Sequence, residues 1–150
     1  MTWNNILHVL SDNVAEKYTL PERIDRLFEQ QIAQWPLLRQ NIRQAASALT
    51  KAITLGDFEA TAQCNPERLH NTTAKVDVAS VQQRPCKLCP GNLFPEQRGL
   101  AYGDDLVVLC NPYPILRDHL SIVHRRHVAQ AIQGRLSGLL ELVKDLGERF

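Results

Sequence analysis

The sequence predicts an α+β fold, on three observations. Helical spacing of apolar residues fills the chain to residue 55, short strand-like runs follow between Phe58 and Val123, and helical spacing returns from Val128. At 150 residues the chain has the length of one ordinary domain. Its 44% hydrophobic and 22% charged residues are the mix of a globular protein, not of a disordered one.

Taken in order, Trp3, Ile6, Leu7, Leu10 and Val14 follow three-and-four spacing and predict a short amphipathic helix. A second helix is expected from Pro21, a favourable first-turn residue, with Ile24, Leu27, Phe28, Ile32 and Trp35 on one face. Pro36 has no amide hydrogen and disfavours helical geometry at Trp35, so a kink or break falls there, and the helix resumes through Leu38, Ile42, Ala45 and Leu49. Gly56 ends this helical region (residues 1–55) and opens the rest of the chain, 56–150.

In the second part FEATAQC (Phe58 to Cys64) alternates as a strand does, and Asn65-Pro66 begins a polar stretch of irregular chain to Gln83. The turn-rich PGNLFPEQRG comes next, then LVVLC (Leu106 to Cys110), whose unbroken apolar run reads as a strand buried on both faces. HLSIV (His119 to Val123) is the third strand, and a turn carrying Arg125, Arg126 and His127 leads to a helix from Val128. In that helix Leu136, Leu139, Leu140, Val143 and Phe150 keep helical spacing to the last residue with no cap, so the chain is expected to continue beyond residue 150.

Seventeen basic against sixteen acidic side chains give a formal charge of +1, which argues against a nucleic acid or a membrane as the main partner. No apolar run reaches the ~20 residues that span a bilayer, and the first residues carry no secretory pattern, so a cytoplasmic protein is expected. In a reducing compartment the four cysteines do not read as a disulfide framework.

Cys86 and Cys89 form a C-x-x-C, two thiols that one tight turn can aim at a single zinc ion; tetrahedral zinc needs two further N or S ligands. Of the downstream His119, His124 and His127, the turn position of His127 is the easiest to swing toward the cysteines, and no fourth ligand is evident. A thiol–disulfide pair and two packed small residues are the alternatives. The redox reading fits less well because Pro90-Gly91-Asn92, a turn and not a helix start, follows the pair. Cys110, inside the apolar strand, reads as an inert packed thiol.

The runs CKLC and LVVLCNPYPILRDHLSIVHRRHV resemble the first half of the histidine triad superfamily. FEATAQCNPERLHNTTAKVD and RPCKLCPGNLFPEQRGL are similar, more closely, to a bacterial group related to nucleotide phosphorylases and galactose-1-phosphate uridylyltransferase. The resemblance covers residues 57 to 135. It implies half of a triad-like antiparallel sheet with a C-terminal helix, and zinc held by Cys86, Cys89 and His127, the fourth ligand coming from a later catalytic half. It also implies that Asn111 holds a nucleotide ribose, that Leu109 walls the base, and that His119 is structural. For the phosphates, Arg68 in the polar loop and Arg98 in PEQRG have the bidentate reach required, with solvated loop charge as the alternative; Arg125 and Arg126 read as solubilising their turn.

The nucleophile of such proteins lies in a His-x-His motif, and none occurs in these 150 residues. Nucleotidyl transfer through a covalent intermediate needs an imidazole aimed at phosphorus, so no catalytic residue is assigned. The expected function of the whole protein is nucleotidyl transfer to, or phosphorolysis of, a nucleotide-sugar or dinucleotide. A second copy of the chain or a missing C-terminal half would complete it. A zinc-stabilised binding or interaction module is the alternative, and a thiol oxidoreductase a third.

Overall fold

The computed structural model describes residues 2–7, 17–65, 75 and 77–147. Its helices are α1 (Trp3–Ile6), α2 (Leu20–Gln34), α3 (Pro36–Ala46), α4 (Val78–Gln83) and α5 (Leu136–Leu146). The strands are β1 (Leu49–Leu55), β2 (Phe58–Cys64), β3 (Gly99–Tyr102), β4 (Leu106–Cys110) and β5 (Leu120–His124). Two antiparallel sheets result, a β1-β2 hairpin and a three-stranded sheet of order β3-β4-β5, which with the helices make the α+β architecture.

The first turn of α2 is fixed by Thr19, whose amide and hydroxyl both donate to the Glu22 carboxylate, at 2.7 and 2.8 Å. The amide bond is the larger cause holding that carboxyl below its ordinary range. One face of α2 then buries Leu20, Ile24, Leu27 and Phe28. The expected break at Pro36 is present: Gln34 ends α2, the Trp35 amide donates back to Gln31 O, and Pro36 opens α3.

Strand alternation sorts the sheet into two packed faces. Leu100, Val108 and Cys110 meet Ile24, Leu27, Leu38 and Leu142 from α2, α3 and α5 and Trp35 at the joint of α2 and α3, so these helices and the sheet share one core. Val107, Leu109 and Val123 face the other way, against Ile6 of α1 and Leu93. The indole N–H of Trp3 ties α1 down by donating to Arg125 O at 2.6 Å. Cover on both sides is what the unbroken LVVLC predicts, and Val107 to Cys110 are wholly buried.

Gly99 is fixed by this packing. A Cβ there would lie 2.5 Å from Leu109 Cδ2 and 2.9 Å from the Val108 carbonyl oxygen, which as backbone in the central strand cannot yield. Gly99→Ala is expected to cost about 1–3 kcal/mol in urea unfolding, and a loss under about 0.5 kcal/mol would refute this close approach.

Several elements differ from the sequence reading. The helix does not run on to Leu49; it stops at Ala46, and Leu49–Leu55 is strand. Gly56 at φ +62° and Asp57 make a two-residue hairpin turn, which pairs Leu55 with Phe58 and the β-branched Thr50, Ile53 and Thr54 with β2. A four-residue strand, β3, opens on Gly99, the last residue of PGNLFPEQRG. The stretch to Gln83 is not wholly irregular, because the Asp77 carboxylate accepts from the Ser80 amide and caps α4. The third strand sits one residue later than expected, and the last helix begins at Leu136, not Val128, and ends at Leu146 with Gly147, at φ +62°, as its cap. Residues 8–14 of the first expected helix, and Phe150, lie outside the described residues.

The register of the hairpin puts Leu49, Ile53, Leu55, Phe58, Ala60, Ala62 and Cys64 on one face with Lys51, and every residue of both strands is exposed. Among the described residues no helix is long and apolar enough to cross a membrane.

Candidate metal centre

Cys86 to Cys89 form one tight turn, closed by the Cys89 amide donating to Cys86 O at 3.2 Å. Asn92, which the sequence marks only as part of the following turn, braces it twice: its backbone N–H donates to Cys89 O and its side-chain Nδ2 to Cys86 O, both at 2.9 Å. A 3-10 turn (Pro90–Asn92) follows, so the pair does not begin an α-helix.

His127, three residues beyond β5, reaches this turn, with Nδ1 3.1 Å from Cys89 Sγ. The ligand atoms of Cys86, Cys89 and His127 all lie within 4.8 Å of one another, close enough to hold a metal ion. Two thiols and an imidazole nitrogen at this spacing are a donor set for a single transition-metal ion. Burial, with Cys86 adding to it, pushes the Cys89 thiol up. A cation would relieve that cost by binding the thiolate.

The other two histidine candidates are engaged elsewhere. The His124 ring accepts from the Arg126 amide at 3.0 Å and lies 3.4 Å from Asp105. His119 accepts from the Ile115 amide through Nδ1, and its carbonyl accepts from the Asn111 amide. His119 thereby pins the loop between β4 and β5.

The metal triangle and the residues expected to meet a nucleotide occupy opposite ends of the three-stranded sheet. His127 follows the end where Leu106 pairs with His124, whereas Leu109, Asn111 and Arg98 gather where Cys110 pairs with Leu120 and Gly99 with Leu109. Leu109 is sealed in the core. The Asn111 amide is engaged at both ends, accepting from the Tyr113 amide at 2.9 Å and donating to Ser121 Oγ at 3.1 Å. The Arg98 guanidinium folds back on the carbonyls of Pro95 and Gln97. Arg68 lies outside the described residues.

A family model described as Domain of unknown function (DUF4922) matches residues 27–150, most of the chain. The chain belongs to the DUF4922 family. No curated protein and no solved structure matches it. The DUF4922 match begins inside α2 and spans the hairpin, the three-stranded sheet and all three metal-side residues.

Cys110 is buried completely, and that burial pushes its thiol up to about 12, the nearby Asp118 charge adding to it. Cys64 is exposed. At pH 8 the folded protein is therefore expected to alkylate at Cys64 and spare Cys110, whose thiolate fraction is on the order of a thousandfold below that of an ordinary thiol. Mass spectrometry of iodoacetamide-treated protein checks this, and labelling of Cys110 as fast as Cys64 would refute its burial.

Proposed function

We propose that this chain is the zinc-bearing half of a nucleotidyltransferase- or phosphorylase-like protein, holding a nucleotide or nucleotide-sugar without transforming it. The observation that carries the reading is the Cys86, Cys89 and His127 triangle, two thiols and an imidazole within 4.8 Å. Soft sulfur with one imidazole in a tight turn suits zinc better than magnesium or calcium, which take oxygen ligands. Zinc there ties the 86–89 turn to the segment after β5. A water, a partner chain or a bound molecule completes the tetrahedron.

The nucleotide part of the reading is supported by the resemblance of residues 57 to 135 to nucleotide phosphorylases and uridylyltransferases. The missing chemistry is supported by the absence of any His-x-His in the sequence. Protein purified without chelator is expected to contain about one zinc per chain. It is expected to turn over neither nucleotide-sugars nor dinucleotides. A folded, metal-free sample would overturn the zinc reading. Turnover abolished by His119→Ala or His124→Ala, with the fold intact, would overturn the assignment of no catalytic residue.

The exposed apolar face of the β1-β2 hairpin favours a second reading, a zinc-stabilised interaction module.

A further inference from the structure

Beside the metal triangle lies an open groove of about 870 Å³, within the size range of small-molecule sites. Arg84, Lys87, Arg125, Arg126 and Arg135 line it, and among the described residues no Asp or Glu does. Ile122 and Leu139 supply apolar wall between the cations. Five positive side chains around a partly apolar concavity focus a positive potential in a chain whose formal charge is only +1.

The five cations are not equivalent. Arg84 is spent on the carbonyls of Ser80 and Lys75, and Arg135 on those of Ala129 and Ala131. Lys87 and Arg126 are exposed, and Arg126 makes one long, exposed ion pair, with Asp105 at 3.4 Å. Arg125 is the most telling. Its Nε is buried without a hydrogen-bond partner, and its Nη2 reaches Gly103 O only at 3.5 Å. That Nε is closed to the groove, and what an anion there would meet is the charge of a guanidinium whose Nη2 bond is long.

We infer that this groove binds a phosphate-bearing small molecule of nucleotide size, its phosphate on Lys87, Arg125 and Arg126 and its body against Ile122 and Leu139. The inference deepens the proposed function and rests on its metal reading, since zinc would join the Cys86–Cys89 wall to the His127 wall. It moves the phosphate from the Arg98 end of the sheet to the metal end. A nucleic acid fits less well, because the chain as a whole is near neutral, with a formal charge of +1.

Calorimetric titration of the full chain with AMP, inorganic phosphate, adenosine and a glutamate-rich peptide, with zinc measured in each sample, tests the inference. AMP is expected to bind more tightly than phosphate or adenosine alone. Lys87→Gln with Arg126→Gln is expected to weaken AMP at least about tenfold at unchanged zinc content, since each loses a charge-assisted hydrogen bond. Lys51→Gln with Arg117→Gln, a charge-matched pair outside the groove lining, is expected to leave AMP binding as it was. Removing zinc with a chelator is expected to weaken AMP binding as well. No AMP binding, equal AMP binding in the Lys87/Arg126 variant, or preference for the acidic peptide would overturn the inference. A sample without zinc that still binds AMP through Lys87 and Arg126 would refute the metal reading and leave the groove standing.

Discussion

Cys89→Ser is expected to reduce zinc from about one per chain to below about one tenth, and to lower the midpoint of thermal unfolding by about 5–10 °C. The argument starts from linkage. An ion that binds the folded chain alone, at a hundred times its dissociation constant, stabilises it by about 2.7 kcal/mol, which in a chain of this size is a shift of several degrees. Cys89 is the ligand to remove because its sulfur lies 3.1 Å from His127 Nδ1, so its loss parts the two halves of the triangle. Serine keeps the shape of the turn, where the Cys89 amide still donates to Cys86 O. The loss of stability is then assigned to the metal and not to the backbone. Cys64→Ser is the matched control: Cys64 ends the exposed hairpin, and its substitution is expected to change neither zinc content nor midpoint. Metal analysis and calorimetry on the two variants decide it. A Cys89→Ser protein that keeps its zinc would refute the site, and one that loses zinc without losing stability would make the metal a passenger.

The metal triangle was legible in the sequence because its geometry is mostly local. Two cysteines two apart need only one turn, and His127 needs only the end of a strand that HLSIV announces. The two-sided burial of LVVLC was legible for the same reason, since an unbroken apolar run leaves no face for water. The first hairpin strand was hidden because Leu49 falls four residues after Ala45 and so extends the helical spacing. Its identity is set by a turn at Gly56 and by pairing with β2, which spacing alone does not report. Gln31 was hidden because it is a polar residue on the buried face of α2. Its side chain donates to Glu96 O at 3.0 Å and accepts from the Arg98 amide at 2.8 Å, bonds to a loop more than sixty residues away. Arg125 and Arg126 read as solubilising charge in the sequence, and Arg84, Lys87 and Arg135 draw no reading there, because their convergence depends on three segments meeting: the cysteine turn, the end of β5 and the start of α5.

Trp35→Ala is expected to cost about 3–5 kcal/mol in urea unfolding, a large share of the roughly 5–15 kcal/mol that holds an ordinary domain together. Trp35 is 1% exposed and sits at the joint between α2 and α3. Its ring centroid is 5.3 Å from that of Phe94, tilted by 48°, and Phe94 in turn meets Tyr113 edge-on at 6.5 Å. The indole therefore joins the helices to the loop that runs from the cysteine turn to β3, and alanine would leave a cavity where three segments meet. Backbone loss is small by comparison, because alanine still supplies the amide that donates to Gln31 O. Trp35→Phe keeps a ring near Phe94 and is expected to cost less than half as much. Phe58→Ser, on the exposed hairpin face, is expected to stay within about 0.5 kcal/mol, since a ring already 76% exposed has little burial to lose. A Trp35→Ala cost no larger than that of Phe58→Ser would mean that the helices do not close on the sheet through this residue. Zinc content in folded Trp35→Ala protein is expected to hold at its wild-type value, because none of the three metal-side residues belongs to the core cluster that contains Trp35.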